Sequence, residues 1–274
     1  MTMKSLLKSA PPSAIFGMVV LAIVAFTGVF APIVGPYGET QVVGDAYLPW
    51  SAAHPLGTDN LGRDMLSRMI FGARNTVGLA LLTTAISFSV GSTLGMLAAL
   101  KGGWLDEVLS RLVDVLMAVP PLILALMLLA IVGPSIPNMV GVIAVIYVAP
   151  VYRLSRAAAM NVVGLDFVEA ARLRGERTPW LLRREILPNI WSTLIAEFGV
   201  RFCFVFLFIA ALSFLGIGIQ PPTADWGSMV KENATLISFG DITPLIPAAA
   251  IALLTVAINL IVDWMLHRAS GLKS

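Results

Sequence analysis

DFVEAARLRGERTPWLLRREILPN, residues Asp166 to Asn189, is the longest charged stretch in a chain that otherwise reads as lipid-soluble. Uncharged runs flank it on both sides, so its reading decides the fold: apolar helices crossing a membrane, joined by loops of which this is the most elaborate. Asp166 followed by Glu169 has the D-x-x-E spacing of a capping box and predicts a helix start. Gly175 supplies the left-handed residue that stops such a helix. Thr178 is then expected to cap a second short helix, Pro179 suits its first turn, where a missing N–H costs nothing, and Pro188 is expected to end it. The stretch reads as a helix-turn-helix of mixed charge between two hydrophobic spans.

The whole composition agrees. Of 274 residues, 58% are hydrophobic and 12% charged, against roughly 25% charged in a soluble domain. The expected class is an all-α integral membrane protein. A net charge of +2, with the cations spread through loops, gives no basic patch for nucleic acid. The single cysteine, Cys203, lies in an apolar run, which leaves no disulfide framework and no thiol metal site. His54 and His267 are far apart, and no catalytic or metal-ligand spacing is found.

Residues 1–13 carry Lys4 and Lys8 and precede Ala14 to Val34, an uncharged run of 21 residues. That suffices to cross a hydrocarbon layer of roughly 30 Å. A cleaved signal would have an apolar region of about 7 to 15 residues, so the run reads as an uncleaved anchor. From 35 to 75 the chain is polar and broken by Pro36, Pro49 and Pro55, forming an external loop. Within it, HPLGTDNLGRDMLSRMIFGAR (54–74) places Leu61, Met65 and Met69 on one face, as an amphipathic helix lying at a membrane surface would.

The core is expected over 76–262. Span two is 76–100, where Gly91 and Gly95 offer close helix packing. Val115 to Tyr152 is too long for one helix and is interrupted at Gly133-Pro134 and Pro137. It divides into span three, 115–133, kinked by Pro120 and Pro121, and span four, 138–152. A loop at 153–190 contains the opening stretch. Span five follows at 192–218 and span six at 242–262, with 263–274 as the C-terminal tail. Glu197 and Arg201, four apart within span five, share a helical face and read as a structural ion pair.

Six spans put both termini on one side. Lys4, Lys8, Lys101, Arg111, the seven arginines from Arg153 to Arg184, Arg268 and Lys273 fall on that side; Arg63, Arg68, Arg74 and Lys231 fall on the other. The positive-inside rule then makes the termini and the 153–190 loop cytoplasmic.

Within the opening stretch, Glu169-Ala170-Ala171, Gly175 and Ile186-Leu187-Pro188 stand at fixed offsets. This pattern resembles the EAA loop of prokaryotic ABC importer permeases, with Glu176 a departure where the family usually has a small residue. A second signature, G-T-D-x-x-G-R-D-x-x-S-R, is carried by Gly57, Thr58, Asp59, Gly62, Arg63, Asp64, Ser67 and Arg68. It resembles the segment before the core in C-type permease subunits of dipeptide, oligopeptide and nickel importers, and the likeness continues through LSFLGIGIQPPTADWG. The basic ending WMLHRASGLKS departs from that family. The resemblance implies a type I ABC importer permease fold of six transmembrane helices, with a cytoplasmic EAA coupling loop that docks on an ATPase. It implies as partners a second homologous permease, one or two cytosolic ABC ATPases that hold the ATP and Mg²⁺, an extracytoplasmic solute-binding protein and membrane lipid. The expected location is the bacterial inner membrane and the expected cargo di- or oligopeptides, with nickel chelates, glutathione or opines as alternatives.

The 57–68 signature reads as a surface connector rather than a substrate contact. No G-x-x-x-x-G-K-[ST] phosphate loop occurs, so ATP chemistry has to come from another chain. A secondary transporter ranks second, because the middles of spans one to four and six lack the ionisable rows that relay protons. A non-transporting scaffold ranks third and a membrane enzyme last.

Overall fold

Long apolar segments in a bilayer must satisfy their backbone internally, and helices do so within one segment. The computed structural model describes residues 10–269. Lys4, Lys8 and Lys273, used in the charge argument, and the Arg268 side chain lie outside what it describes. The elements are α1 (Pro12–Val29), a single turn α2 (Ala31–Val34), α3 (Met65–Lys101), α4 (Gly103–Ala118), α5 (Pro121–Val132), α6 (Ile136–Val163), α7 (Asp166–Leu173), α8 (Thr178–Trp180), a π-helical turn at Leu181–Ile186, α9 (Leu187–Phe214), α10 (Trp226–Asn233), a 3₁₀ segment at Ala234–Phe239, and α11 (Leu245–Ala269). Among the described residues, five helices are long and apolar enough to cross a membrane, and a sixth span results if the bent pair α4–α5 counts as one. The outward side chains of α1, such as Ile15, Val19, Ile23 and Phe26, are themselves apolar, as a helix meeting hydrocarbon requires.

The spans differ from the sequence reading in informative ways. Span two begins at Met65, so α3 has 37 residues, about 55 Å at 1.5 Å per residue. The amphipathic surface helix expected over 54–74 is absent: residues 54–64 form turns, and Met65 onward belongs to α3. Gly57 and Gly62 take φ of +71° and +73°, which helical residues do not. Span three is two helices, α4 and α5, bent by 92°. Val119 is extended at φ −97°, ψ 133°, as a residue before proline tends to be, and Pro121 opens α5, where a missing N–H is harmless. Span four runs on to Val163 through Arg153 and Arg156, because charge does not itself end a helix once it has partners. The helix of span five starts at Leu187 and stops at Phe214, before Gly216 at φ +85°.

Two compact units emerge from the contacts. The first comprises residues up to Leu81, Gly133–Met139 and Cys203–Trp264. In it α1 meets α11 so closely that a Cβ on Gly17 would strike the Ala257 carbonyl. Trp226 packs edge-on to Phe206 with centroids 6.2 Å apart and donates from Nε1 to the Met69 carbonyl at 2.9 Å.

The second unit comprises Leu82–Val132, Val140–Phe202 and the residues from Met265. Gly91 and Gly95 let α3 press on α6: a Cβ on Gly95 would lie 2.6 Å from the Tyr152 carbonyl oxygen. Its principal core joins Met96 and Leu100 of α3, Ala159 and Val162 of α6, Val168 and Ala171 of α7, Leu181 and Ile186 of the π turn, and Ile190 and Leu194 of α9.

Candidate functional site

Helix α7 is two-faced. At 3.6 residues per turn, Val168 and Ala171 share one face, and both are fully buried. Glu169, Ala170 and Leu173 point the other way and are exposed, Leu173 at 84%. An exposed leucine thus stands beside a carboxylate on the open face of a short helix whose other face is buried.

Its ends are built as follows. Leu165 occupies the N-cap without a side-chain bond, and Asp166 is the first helical residue rather than the cap. The acidic pair Asp166 and Glu169 thus acts on the positive end of the helix dipole instead of bonding as a capping box. At the other end the Gly175 N–H donates to the Arg172 carbonyl at 2.9 Å and the Glu176 N–H to the Ala171 carbonyl at 3.2 Å. This is a Schellman closure. Gly175 sits at φ +83° with nothing within 4 Å of a built Cβ, so conformation and not space demands the glycine.

Beyond it, Arg177 holds the cap position of α8, not Thr178, and again without a side-chain bond. Pro188 does not end the second helix. It lies two residues after the end of the π turn Leu181–Ile186, inside a continuous helical run, Thr178–Phe214, of 37 residues. A proline removes one N–H and crowds the carbonyl four residues earlier; a widened turn just before it provides the room. Ile186 is fully buried in the same core as Val168 and Ala171, while Leu187 is half-buried and Pro188 exposed. The structure therefore joins the inner face of α7 to Ile186.

The second signature folds inward. Residues 42–48 run antiparallel to 58–63, with the Val43 N–H on the Gly62 carbonyl at 2.8 Å and the Thr58 N–H on the Leu48 carbonyl at 3.1 Å. A Cβ on Gly57 or Gly62 would strike the carbonyls of Leu48 and Gly44. Asp59 accepts from the backbone N–H groups of Leu61 and Arg63, each at 2.9 Å, from Arg63 Nε at 2.7 Å and from Arg68 Nη1. Glu232 of α10 completes the knot: its Oε2 accepts from Arg63 Nη2 at 3.2 Å and Arg68 Nη1 at 2.9 Å. Asp64 accepts from the Ser67 N–H at 2.8 Å and Oγ at 2.7 Å, starting α3, and its other oxygen lies 3.0 Å from His54 Nδ1. Asp59, Arg63, Asp64 and Arg68 are buried to within 3%. Burial pushes the Asp59 carboxyl up, but the hydrogen bonds from the Arg63 N–H, the Arg68 guanidinium and the Leu61 N–H outweigh it and hold it below the ordinary carboxylate range.

Glu197 and Arg201 are paired along α9: Arg201 donates from Nε at 3.0 Å and also from Nη2 to Glu197 Oε1. The guanidinium carbon stands 5.8 Å from the centre of the Tyr147 ring. The charges thus answer each other inside the span, the arrangement that makes an intramembrane pair tolerable.

Several participants escaped the sequence reading. Glu232 is 164 residues from Arg68 and carries no local signal of the contact. Asp225 accepts from the Ser228 N–H and from Thr76 Oγ1, each at 2.8 Å. Burial pushes its carboxyl up against those bonds. Arg156 clamps Asp106 through two bonds at 2.5 and 2.6 Å, joining α6 to α4; the i, i+3 pair Arg153 and Arg156 on one apolar helix was the available hint.

Residues 91–269 match the family described as binding-protein-dependent transport system inner membrane component. The chain is 37% identical over 259 residues to the di/tripeptide transport system permease protein DppC of Pseudomonas aeruginosa, covering 92% of this chain and 86% of that one. It is 34% identical to the dipeptide transport system permease protein DppC of Haemophilus influenzae, over 92% and 88% of the two chains. It is 35% identical to the glutathione transport system permease protein GsiD of Pectobacterium atrosepticum, over 78% and 71%.

Proposed function

The chain belongs to the family of binding-protein-dependent transport system inner membrane components, and from that premise we propose that it forms half of the translocation pathway of an ATP-driven importer for di- and oligopeptides. It is a transport component rather than an enzyme. The observation that carries the coupling part of this reading is the two-faced α7: Val168 and Ala171 anchor it, and Glu169, Ala170 and Leu173 are offered outward. A cytosolic ABC ATPase seats there, and ATP with Mg²⁺ binds on the ATPase. Gly175 and the Ile186-Leu187-Pro188 segment hold the helix at its proper angle. A solute-binding protein delivers cargo from the opposite side, and a second, homologous permease in the lipid supplies the other half of the pathway.

The sidedness follows from charge. The cations of the 153–190 segment, among them Arg153, Arg172, Arg174, Arg177, Arg183 and Arg184, belong in the cytoplasm with both termini. Of the four basic residues assigned to the other side, Arg63 and Arg68 are neutralised within the buried knot, which sharpens the asymmetry. ATP-driven closure of the ATPase pair moves α7, and the spans reorient to release cargo inward.

The peptide assignment draws on relatives named for dipeptide transport. Glutathione, itself a peptide with free termini, is the second reading, and the similarity to the Pectobacterium protein favours it over nickel chelates or opines. Uptake of a radiolabelled dipeptide by a strain lacking this chain, with and without the gene restored, tests both. Restored uptake that excess unlabelled dipeptide abolishes and glutathione leaves intact is expected. Dipeptide uptake indifferent to the gene contradicts the proposal, and gene-dependent uptake of labelled glutathione in its place moves the second reading to first.

A further inference from the structure

Helix α7 is joined through the chain to α6 on one side, by Gly164 and Leu165, and to α9 on the other, by the π turn. It has no such link to α3, although Met96 and Leu100 of α3 form part of the core on which α7 rests. A displacement of α7 therefore reaches α6 and α9 along the backbone, but reaches α3 only through non-covalent contact.

One polar contact crosses that seam. The last four carbonyls of a helix lack intrahelical donors. At the end of α3 the Gly102 N–H turns back to the Ala98 carbonyl at 2.9 Å. Gly102 and Gly103 then take φ of +61° and +59° and carry the chain away into α4, leaving the Leu100 carbonyl facing α7. Arg172 Nη2 donates to it at 2.9 Å. The bond is charge-assisted, and the guanidinium sits at the negative end of a 37-residue helix. On the α7 wheel Arg172 lies next to Val168, on the flank of the buried face, whereas Ala170 and Leu173 occupy the outward face. Arg172 is exposed and stands between Val168 and Glu169 on that wheel, at the edge of the outward face.

We propose that Arg172 is a positioning residue that latches α7 to the C-terminus of α3, so that movement imposed by the ATPase is delivered to α3 together with α6 and α9. The latch rests on the docking role proposed above for α7. It makes the difference between hydrolysis that is coupled to transport and hydrolysis that is not.

The test uses the complete importer in proteoliposomes, with dipeptide delivered by the solute-binding protein, and three variants: Arg172→Lys, Arg172→Gln and Arg172→Met. Lysine keeps a charged donor, glutamine an uncharged one, and methionine only the stem. The ratio of dipeptide transported to ATP hydrolysed is expected to fall in that order, by about tenfold in the methionine variant, the scale of one charge-assisted hydrogen bond. ATPase retention is expected to match wild type in all three. If the methionine variant does not reach the membrane, the drop from lysine to glutamine carries the same comparison. Ratios equal to wild type across the variants that insert overturn the latch alone. Loss of the ATPase from Arg172→Met would make Arg172 a docking contact and also overturn it. A wild-type complex that retains no ATPase contradicts the docking role and the latch together.

Discussion

The segments 54–68 and 166–176 draw on the same residue types, Asp, Glu, Arg and Gly, and point them in opposite directions. In the first, Asp59, Arg63, Asp64 and Arg68 are all buried and tied to one another and to Glu232. In the second, Val168 and Ala171 are buried while Glu169 and Leu173 stand in the open. Both depend on left-handed glycines, yet for different reasons. Gly57 and Gly62 leave no room for a Cβ, whereas Gly175 has empty space around it and is needed for its backbone angle. The difference teaches that a dense, specific sequence signature can be architecture, whereas a sparser one can seat a helix with one half buried and the other left open, the half to which docking is assigned in our proposal.

The comparison can be broken most forcefully at the knot. Arg68→Ala leaves the Asp59 and Glu232 carboxylates without one of their guanidinium partners in a buried setting, a loss on the order of 3 to 5 kcal/mol. Melting in detergent should fall sharply, and a melting temperature equal to wild type would refute the description of this segment as structural. Gly175→Val is expected to cost about 1 to 3 kcal/mol, because a β-branched residue is forced to positive φ. The protein should still insert while uptake drops; undiminished uptake would remove Gly175 from the coupling role. Acidification sharpens the contrast more gently. Because the Asp59 carboxyl is held below its ordinary value, the stability it contributes is fully present above the unfolded-state pKa and is lost as pH falls through the folded one. Melting temperature should therefore decline on the acid side of the carboxylate range, with a shallower slope in Asp59→Asn. Equal slopes would mean that other groups set the acid response.

How much of this was legible beforehand depended on the range of the interactions. The all-α membrane class and the apolar spans are local properties, and the sequence displays them openly. Boundaries were missed where a local rule met a longer-range partner. The charges of Arg153 and Arg156 predict an end to span four, but Asp106 neutralises Arg156 and the helix continues to Val163. Pro188 predicts a stop, yet the π turn before it absorbs the proline and carries the helix on. The 54–74 amphipathic pattern was real as a periodicity but lost to Gly57 and Gly62, whose backbone angles end any helix there. In the segment proposed to dock, residues 169–171, 175 and 186–188 are recognisable from their spacing. Their division into an inner and an outer face, and the bond from Arg172 to the Leu100 carbonyl across 72 residues, required the packing of α3, α6 and α9 to be seen.

The smallest effect on stability and the most direct test of the docking claim come from the same variant. Glu169→Lys lies on the exposed face of α7, so its folding stability should stay within about 0.5 kcal/mol of wild type. Wild type and Glu169→Lys, purified side by side from native membranes in mild detergent, would be compared for the ATPase that accompanies each and for ATP hydrolysis. The account expects the ATPase with wild type and its depletion from the variant at equal permease yield. Equal amounts of ATPase on both, or none on either, would contradict it.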